Sequence, residues 1–91
     1  MINEYIKKNR DRRGITPWLR CRDGFSMSVQ ASKFHYCSPR DDNGPYEAVE
    51  VGFPSEEEPL LAPYAADDEV FAFVPVNIIE AVITKHGGLV E

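Results

Sequence analysis

With 91 residues, 43% of them hydrophobic and 11% aromatic, the chain can build one core and no second domain. A chain this short buries only about 60–65% of its unfolded surface. The net charge of −5 opposes general nucleic-acid affinity, which comes from a cationic face that neutralises phosphates. No apolar run approaches the roughly 18–20 residues of a membrane span, and the first residues lack the apolar stretch of a secretory signal, so the expected location is cytoplasmic.

Residues 2–13 place Ile2, Tyr5 and Ile6 at helical spacing among charged neighbours. That stripe supports a turn or two of helix, frayed or docked on a neighbour. Gly14 and Pro17 then break it, so residues 1–16 are expected as a basic, partly helical or flexible segment and residues 17–91 as a single domain.

Residues 17–31 read as a hairpin whose register depends on its turn. A two-residue loop at Asp23-Gly24 would pair Arg22 with Phe25 and mix cations with core residues on one face. A three-residue loop, Arg22-Asp23-Gly24 with Gly24 left-handed, pairs Cys21 with Phe25 and Leu19 with Met27. One face then carries Leu19, Cys21, Phe25, Met27 and Val29, and the other Trp18, Arg20, Ser26, Ser28 and Gln30. Residues 32–45 end in turn formers and predict a surface loop pinned to the core by Phe34, Tyr36 and Cys37.

Residues 46–53 alternate as a half-buried strand, with Val49, Val51 and Phe53 inward and Pro54 closing it. Residues 55–69 hold two acidic runs separated by Pro59 and Pro63 and predict a long acidic loop. Residues 70–74 are continuously apolar, the pattern of a central strand covered on both faces. After Pro75, Asn77 with Glu80 resembles a capping box, and Val76, Ile79, Val82 and Ile83 form the stripe of a helix that Gly87-Gly88 ends. The expected fold is α+β: a small antiparallel sheet of three to five strands with one C-terminal helix packed on one face.

Cation and acid are unevenly placed. Residues 1–22 hold seven cations and two acids, whereas residues 23–91 hold three cations and thirteen acids. Asymmetry of this kind speaks about partners rather than fold.

Catalytic and metal chemistry find little support in the spacing. Cys21, His35, Cys37 and His86 have the residue types of a zinc site, but only His35 and Cys37 lie close in sequence, two apart, and paired ligands normally stand three to six apart. The two cysteines are expected as free thiols. A Cys37–His35 or Cys37–His86 pair oriented by Asp41 or Asp42 has no positioning signal, and the glutamates at 56–58 read as a solvated run. Gly87-Gly88 follows a helix rather than preceding one, so it is no phosphate loop. The chain is therefore read as non-enzymatic, with no cofactor and no metal.

The segments Trp18-Leu19-Arg20-Cys21-Arg22-Asp23-Gly24-Phe25-Ser26-Met27-Ser28-Val29, Tyr36-Cys37-Ser38-Pro39-Arg40, Gly44-Pro45-Tyr46, Val49-Glu50-Val51-Gly52-Phe53-Pro54-Ser55, Tyr64-Ala65, Val74-Pro75-Val76 and His86-Gly87-Gly88 resemble a family of small proteins of tailed phages and prophages. The resemblance covers residues 17–88 in order. It implies a protein made inside an infected or lysogenic bacterium. By analogy of class it also implies a protein that binds and blocks host complexes, including defence machinery in the manner of anti-CRISPR inhibitors.

The expected function is binding of a host or phage protein. Its expected contacts are Trp18, Arg20, Tyr36 and Arg40, where aromatic and Arg side chains dominate interface energetics, with the acids Glu56, Glu57, Glu58, Asp67 and Asp68. The alternative is a nucleic-acid-binding accessory protein that grips phosphate with its basic N-terminal segment. A surface so polarised can also pair with a copy of itself, giving a homodimer. No membrane partner is expected.

Overall fold

The computed structural model describes residues 2–90, and the turn of its hairpin is fixed by local contacts. Gly24 adopts φ +98°, its amide reaches the Cys21 carbonyl at 3.0 Å, and the Cys21 amide reaches the Phe25 carbonyl at 2.8 Å. Strands β1 (Leu19–Arg20) and β2 (Ser26–Gln30) then pair Leu19 with Met27, the register that a three-residue loop dictates. Leu19, Cys21, Phe25, Met27 and Val29 are all buried, as the alternation requires.

Strands β3 (Ala48–Gly52) and β4 (Val70–Pro75) complete an antiparallel meander in the order β1-β2-β3-β4. The fold is α+β, as expected. Strand β4 is not central, however, but lies at the edge. The apolar run of residues 70–74 reflects a bulge: Val49 faces Val74 and Val51 faces Phe71, so two β4 residues, Ala72 and Phe73, stand opposite Glu50. The extra residue shifts the alternation. Val74 turns inward and is fully buried, while Phe73 is thrown outward at φ +53°.

Phe53 also departs from the alternation that placed it with Val49 and Val51. Strand β3 ends at Gly52, and Phe53 leaves it at φ +51°, half exposed, with its amide bonded to the Glu69 carbonyl at 2.8 Å.

Helix α2 (Val76–Lys85) follows β4 without a loop, which removes the expected capping box. Pro75 occupies the N-cap with no side-chain bond, and the Val76 amide is satisfied instead by the Glu47 carbonyl at 2.9 Å. Ile79, Val82 and Ile83 face the core and Val76 is half-buried. Gly87 and Gly88, at φ +91° and +92°, return the Thr84 and Ile83 carbonyls their bonds and end the helix as expected.

Helix α1 (Ile2–Asn9) is part of the same core. Ile2 and Ile6 are buried, Asn3 makes two bonds to the Tyr46 backbone, and Arg10 bonds the Tyr46 hydroxyl at 2.6 Å, the Ala31 carbonyl at 2.5 Å and the Asp42 carbonyl. Both helices therefore lie on the inner face of the sheet, with Ile2, Ile6, Ile79, Val82 and Ile83 in one cluster with Met27, Val29, Val49 and Val51.

Truncating Ile6 tests that placement. Ile6→Ala should cost about 2–4 kcal/mol in equilibrium urea unfolding, whereas the exposed Lys7→Ala should stay within about 0.5 kcal/mol. Equal, small effects would show that the helix is an appendage.

Candidate functional site

The outer face of the sheet carries four exposed aromatics over a floor of short or polar side chains. Trp18 precedes the inward Leu19 and so points out, where its ring lies 6.3 Å from that of Phe53. Across the sheet, Tyr36 and Phe73 pair at 6.1 Å, and the Arg40 guanidinium sits 5.4 Å over the Tyr36 ring. Their exposures run from 45% to 50%. By register the floor is Ser28 beside Gly52, and Gln30 beside Glu50.

Loop and strand are held together at the Tyr36 end. The Tyr36 amide donates to Glu50 Oε1 at 3.0 Å, and its carbonyl accepts from the Phe73 amide at 3.1 Å. Cys37 anchors the loop from below, its thiol donating to the Ser32 carbonyl at 3.2 Å, while Phe34 is 72% exposed and does not pin it.

Beyond Phe53 lies a groove of about 400 Å³, floored by Phe53, Pro54 and Phe71 and edged by Glu57, Asp68 and Glu69. Apolar floor and acidic edge thus adjoin the aromatic face through one shared residue, Phe53.

Of the residues expected to meet a partner, Trp18, Arg20, Tyr36 and Arg40 are exposed, as are Glu56, Glu57, Asp67 and Asp68. Asp67 is occupied locally, its Oδ1 accepting the amides of Glu69 and Val70 and turning the chain into β4. Glu58 is the exception: it is buried and unavailable to a partner. Its Oε1 lies 2.7 Å from His86 Nε2, its Oε2 accepts from Lys85 Nζ and the Leu60 amide, and Leu61 beside it enters the core. The run at 56–58 is therefore not one solvated patch.

His86 is the centre of this network. Its Nδ1 lies 2.6 Å from Asp23 Oδ2 and 3.8 Å from Glu56 Oε1, and its ring stacks on Phe25 at 4.0 Å, 12° from parallel. Burial opposes a charge on the ring, but the hydrogen bonds and charges of Glu58 and Asp23 outweigh it and raise the His86 pKa. Asp23 is held below its ordinary range by the Phe25 amide and His86. For Glu58, burial pushes upward, yet the Leu60 amide, His86 and Lys85 win and lower it.

The cysteine and histidine quartet does not assemble. Cys21 and Cys37 are free and buried, burial raises both thiol pKa values, and His35 Nδ1 pairs with Ser32 Oγ at 2.6 Å. Ser32 is fully buried, and its hydroxyl oxygen also accepts from the Phe34 amide at 3.1 Å. Among the described residues, the group able to hold a metal ion is Asp23, Glu56 and His86 instead.

No protein-family model matches the chain, and no curated protein or solved structure is significantly similar to it. No described helix is long and apolar enough to cross a membrane.

Sequence reasoning missed Phe53 and Phe73 as surface aromatics and the His86 network. The five apolar residues at 70–74 carried a signal for Phe73, because a sheet covered on one side has no inner place for all of them. Nothing in the spacing links residues 23, 58 and 86.

The network sets a pH window for stability. His86, raised above its ordinary 6.5, contributes fully below that value and less as pH rises through its folded pKa. Asp23 and Glu58, lowered from 3.8 and 4.5, contribute above those values and less as pH falls through their folded pKa values. In chelator-treated buffer, the melting temperature should peak between about pH 5 and 6.5 and fall on both sides. His86→Gln should remove the alkaline fall, and an alkaline limb unchanged in that variant would refute the assignment.

Proposed function

We propose that the protein is a non-enzymatic binding protein, encoded by a phage or prophage, that engages a host or phage protein through the outer face of its sheet, in the manner of an anti-defence inhibitor. The phage setting rests on the resemblance of residues 17–88. The observation that carries the binding reading is the open aromatic face, above all the two phenylalanines held there at positive φ. A bulky residue in that conformation costs about 1–2 kcal/mol, and such strain persists where exposure of the side chain is useful. Exposed Trp, Tyr, Phe and Arg on a rigid sheet are the residue types of an interface centre.

Charge favours a basic partner. The groove beside Phe53 offers an aromatic floor and the carboxylates Glu57, Asp68 and Glu69, which suits a lysine or arginine side chain with its aliphatic stem against the rings. The chain's net charge of −5 would speed encounter with such a surface. The non-enzymatic reading is supported by the thiols, which burial holds protonated and which are therefore poor nucleophiles.

The nucleic-acid reading retains exposed Lys7, Lys8 and Arg12. Arg10, however, is spent on Tyr46, Ala31 and Asp42, and Arg13 is paired with Asp11 at 2.9 Å. Salt-sensitive DNA or RNA binding lost in Lys7→Ala/Lys8→Ala would favour it.

Affinity capture from bacterial lysate with wild type, Trp18→Ala, Phe73→Gly and Glu57→Lys/Asp68→Lys compares the readings. A basic protein retained by wild type and lost by all three variants is the expected outcome; a retained set unchanged by them sinks the proposal. Phe73→Gly should also leave the folding free energy within about 1 kcal/mol of wild type or raise it, unlike the roughly 3–5 kcal/mol lost with a buried Phe.

A further inference from the structure

Asp23, Glu56 and Glu58 set three carboxylates around the His86 ring, with the Lys85 ammonium on Glu58. Asp23 lies at hydrogen-bond distance from Nδ1, 2.6 Å, whereas Glu56, at 3.8 Å from the same nitrogen, lies beyond it.

Nδ1 of His86, an Asp23 oxygen and a Glu56 oxygen lie within 4.8 Å of one another and come from three elements: the helix end, the hairpin turn and the acidic loop. Behind them the histidine is built as metal-binding histidines are built. Its side chain is 8% exposed, Phe25 stacks on the ring, and its far nitrogen is held at 2.7 Å by Glu58, a carboxylate 1% exposed and anchored by Lys85. A carboxylate on the far nitrogen fixes the tautomer with Nδ1 free to donate to a cation. Asp23 and Glu56 are 46% and 61% exposed, so the approach is open.

The geometry points to a divalent transition-metal site of zinc type formed by His86 Nδ1, Asp23 and Glu56, with water in the remaining positions and Glu58 as positioning residue. On binding, the Nδ1 proton leaves to solvent and the nitrogen lone pair takes the ion. The dication with Lys85 then balances the three carboxylates. Tetrahedral zinc at its usual bond lengths puts ligand atoms about 3.4 Å apart, between the 2.6 Å and 3.8 Å separations from Nδ1. Rotation of two exposed carboxylates covers the difference. One nitrogen among the ligands favours zinc over magnesium. Glu56 and Glu58 also line the groove beside Phe53, but the site does not rest on the binding reading.

The test uses the full chain stripped with chelator, then titrated calorimetrically with zinc chloride or magnesium chloride and melted in each. One zinc per chain, bound with Kd below about 0.1 mM, and a melting temperature raised by zinc but not by magnesium are expected. Glu56→Gln, at an exposed side chain, and Asp23→Asn, which keeps an oxygen for the Phe25 amide, should each weaken zinc at least about tenfold, while Cys21→Ser and Cys37→Ser should leave it intact. Absence of saturable zinc binding, binding unchanged in Glu56→Gln, binding lost in Cys37→Ser, or magnesium bound as tightly as zinc would each overturn the site.

Discussion

A sheet of four short strands has two faces, and 91 residues provide enough apolar side chains and helix to cover one of them. Helices α1 and α2 take the inner face, where Ile2, Ile6, Ile79, Val82 and Ile83 meet Met27, Val29, Val49 and Val51. The outer face then needs small or polar groups, and over most of its floor it has them, in Ser28, Gly52, Gln30 and Glu50. The aromatics above that floor are the exception. Two of them reach it only through backbone conformations that a Phe avoids, at Phe53 and Phe73. Hydrophobic burial would have favoured the reverse placement, so the exposed rings are a feature that core packing does not explain.

The His86 network answers a different consequence of small size. The hairpin turn, the acidic loop and the end of α2 meet where the core is thin, and one imidazole joins all three through Asp23, Glu58 and Phe25. Burying charge is costly, and a hydrophobic replacement of the same shape is often as stable. What the ion network adds is direction. Both ring nitrogens are committed to carboxylates at fixed sites, and the ring lies at the negative end of α2, so the loop and the turn have one arrangement in which both nitrogens are partnered.

The elements legible in the sequence were those fixed by local chemistry. Gly24 set the hairpin loop and hence the inward row of Leu19, Cys21, Phe25, Met27 and Val29, and the paired glycines at 87 and 88 set the end of α2. Departures arose where long-range pairing overrode the local pattern. The β4 bulge made sense of five apolar residues that had suggested a central strand, and the direct passage from β4 to α2 left Asn77 inside the first turn with no cap to form. For the candidate site the same division holds. Trp18, Arg20, Tyr36 and Arg40 were legible from alternation and residue type, whereas Phe53 and Phe73 required the bulge and the left-handed exits. Glu58 looked like its neighbours Glu56 and Glu57, because burial of one acid in a run of three depends on partners 27 and 28 residues away.

The polarity of charge along the chain changes meaning once the fold is in place. Of the five cations in residues 1–13, Arg10 binds the loop that carries Tyr46 and Arg13 closes on Asp11, so the basic segment serves partly as an internal brace. The acids divide as well: Glu58 is drawn into the core edge and Asp67 into a turn, while Glu57, Asp68 and Glu69 remain around the groove that opens beside Phe53. Part of the exposed negative charge thus stands next to the strained aromatics. Neither feature alone would favour an interface over a solvated loop; their adjacency supports the proposed one, because rings and carboxylates together can meet a cationic side chain by both its stem and its head.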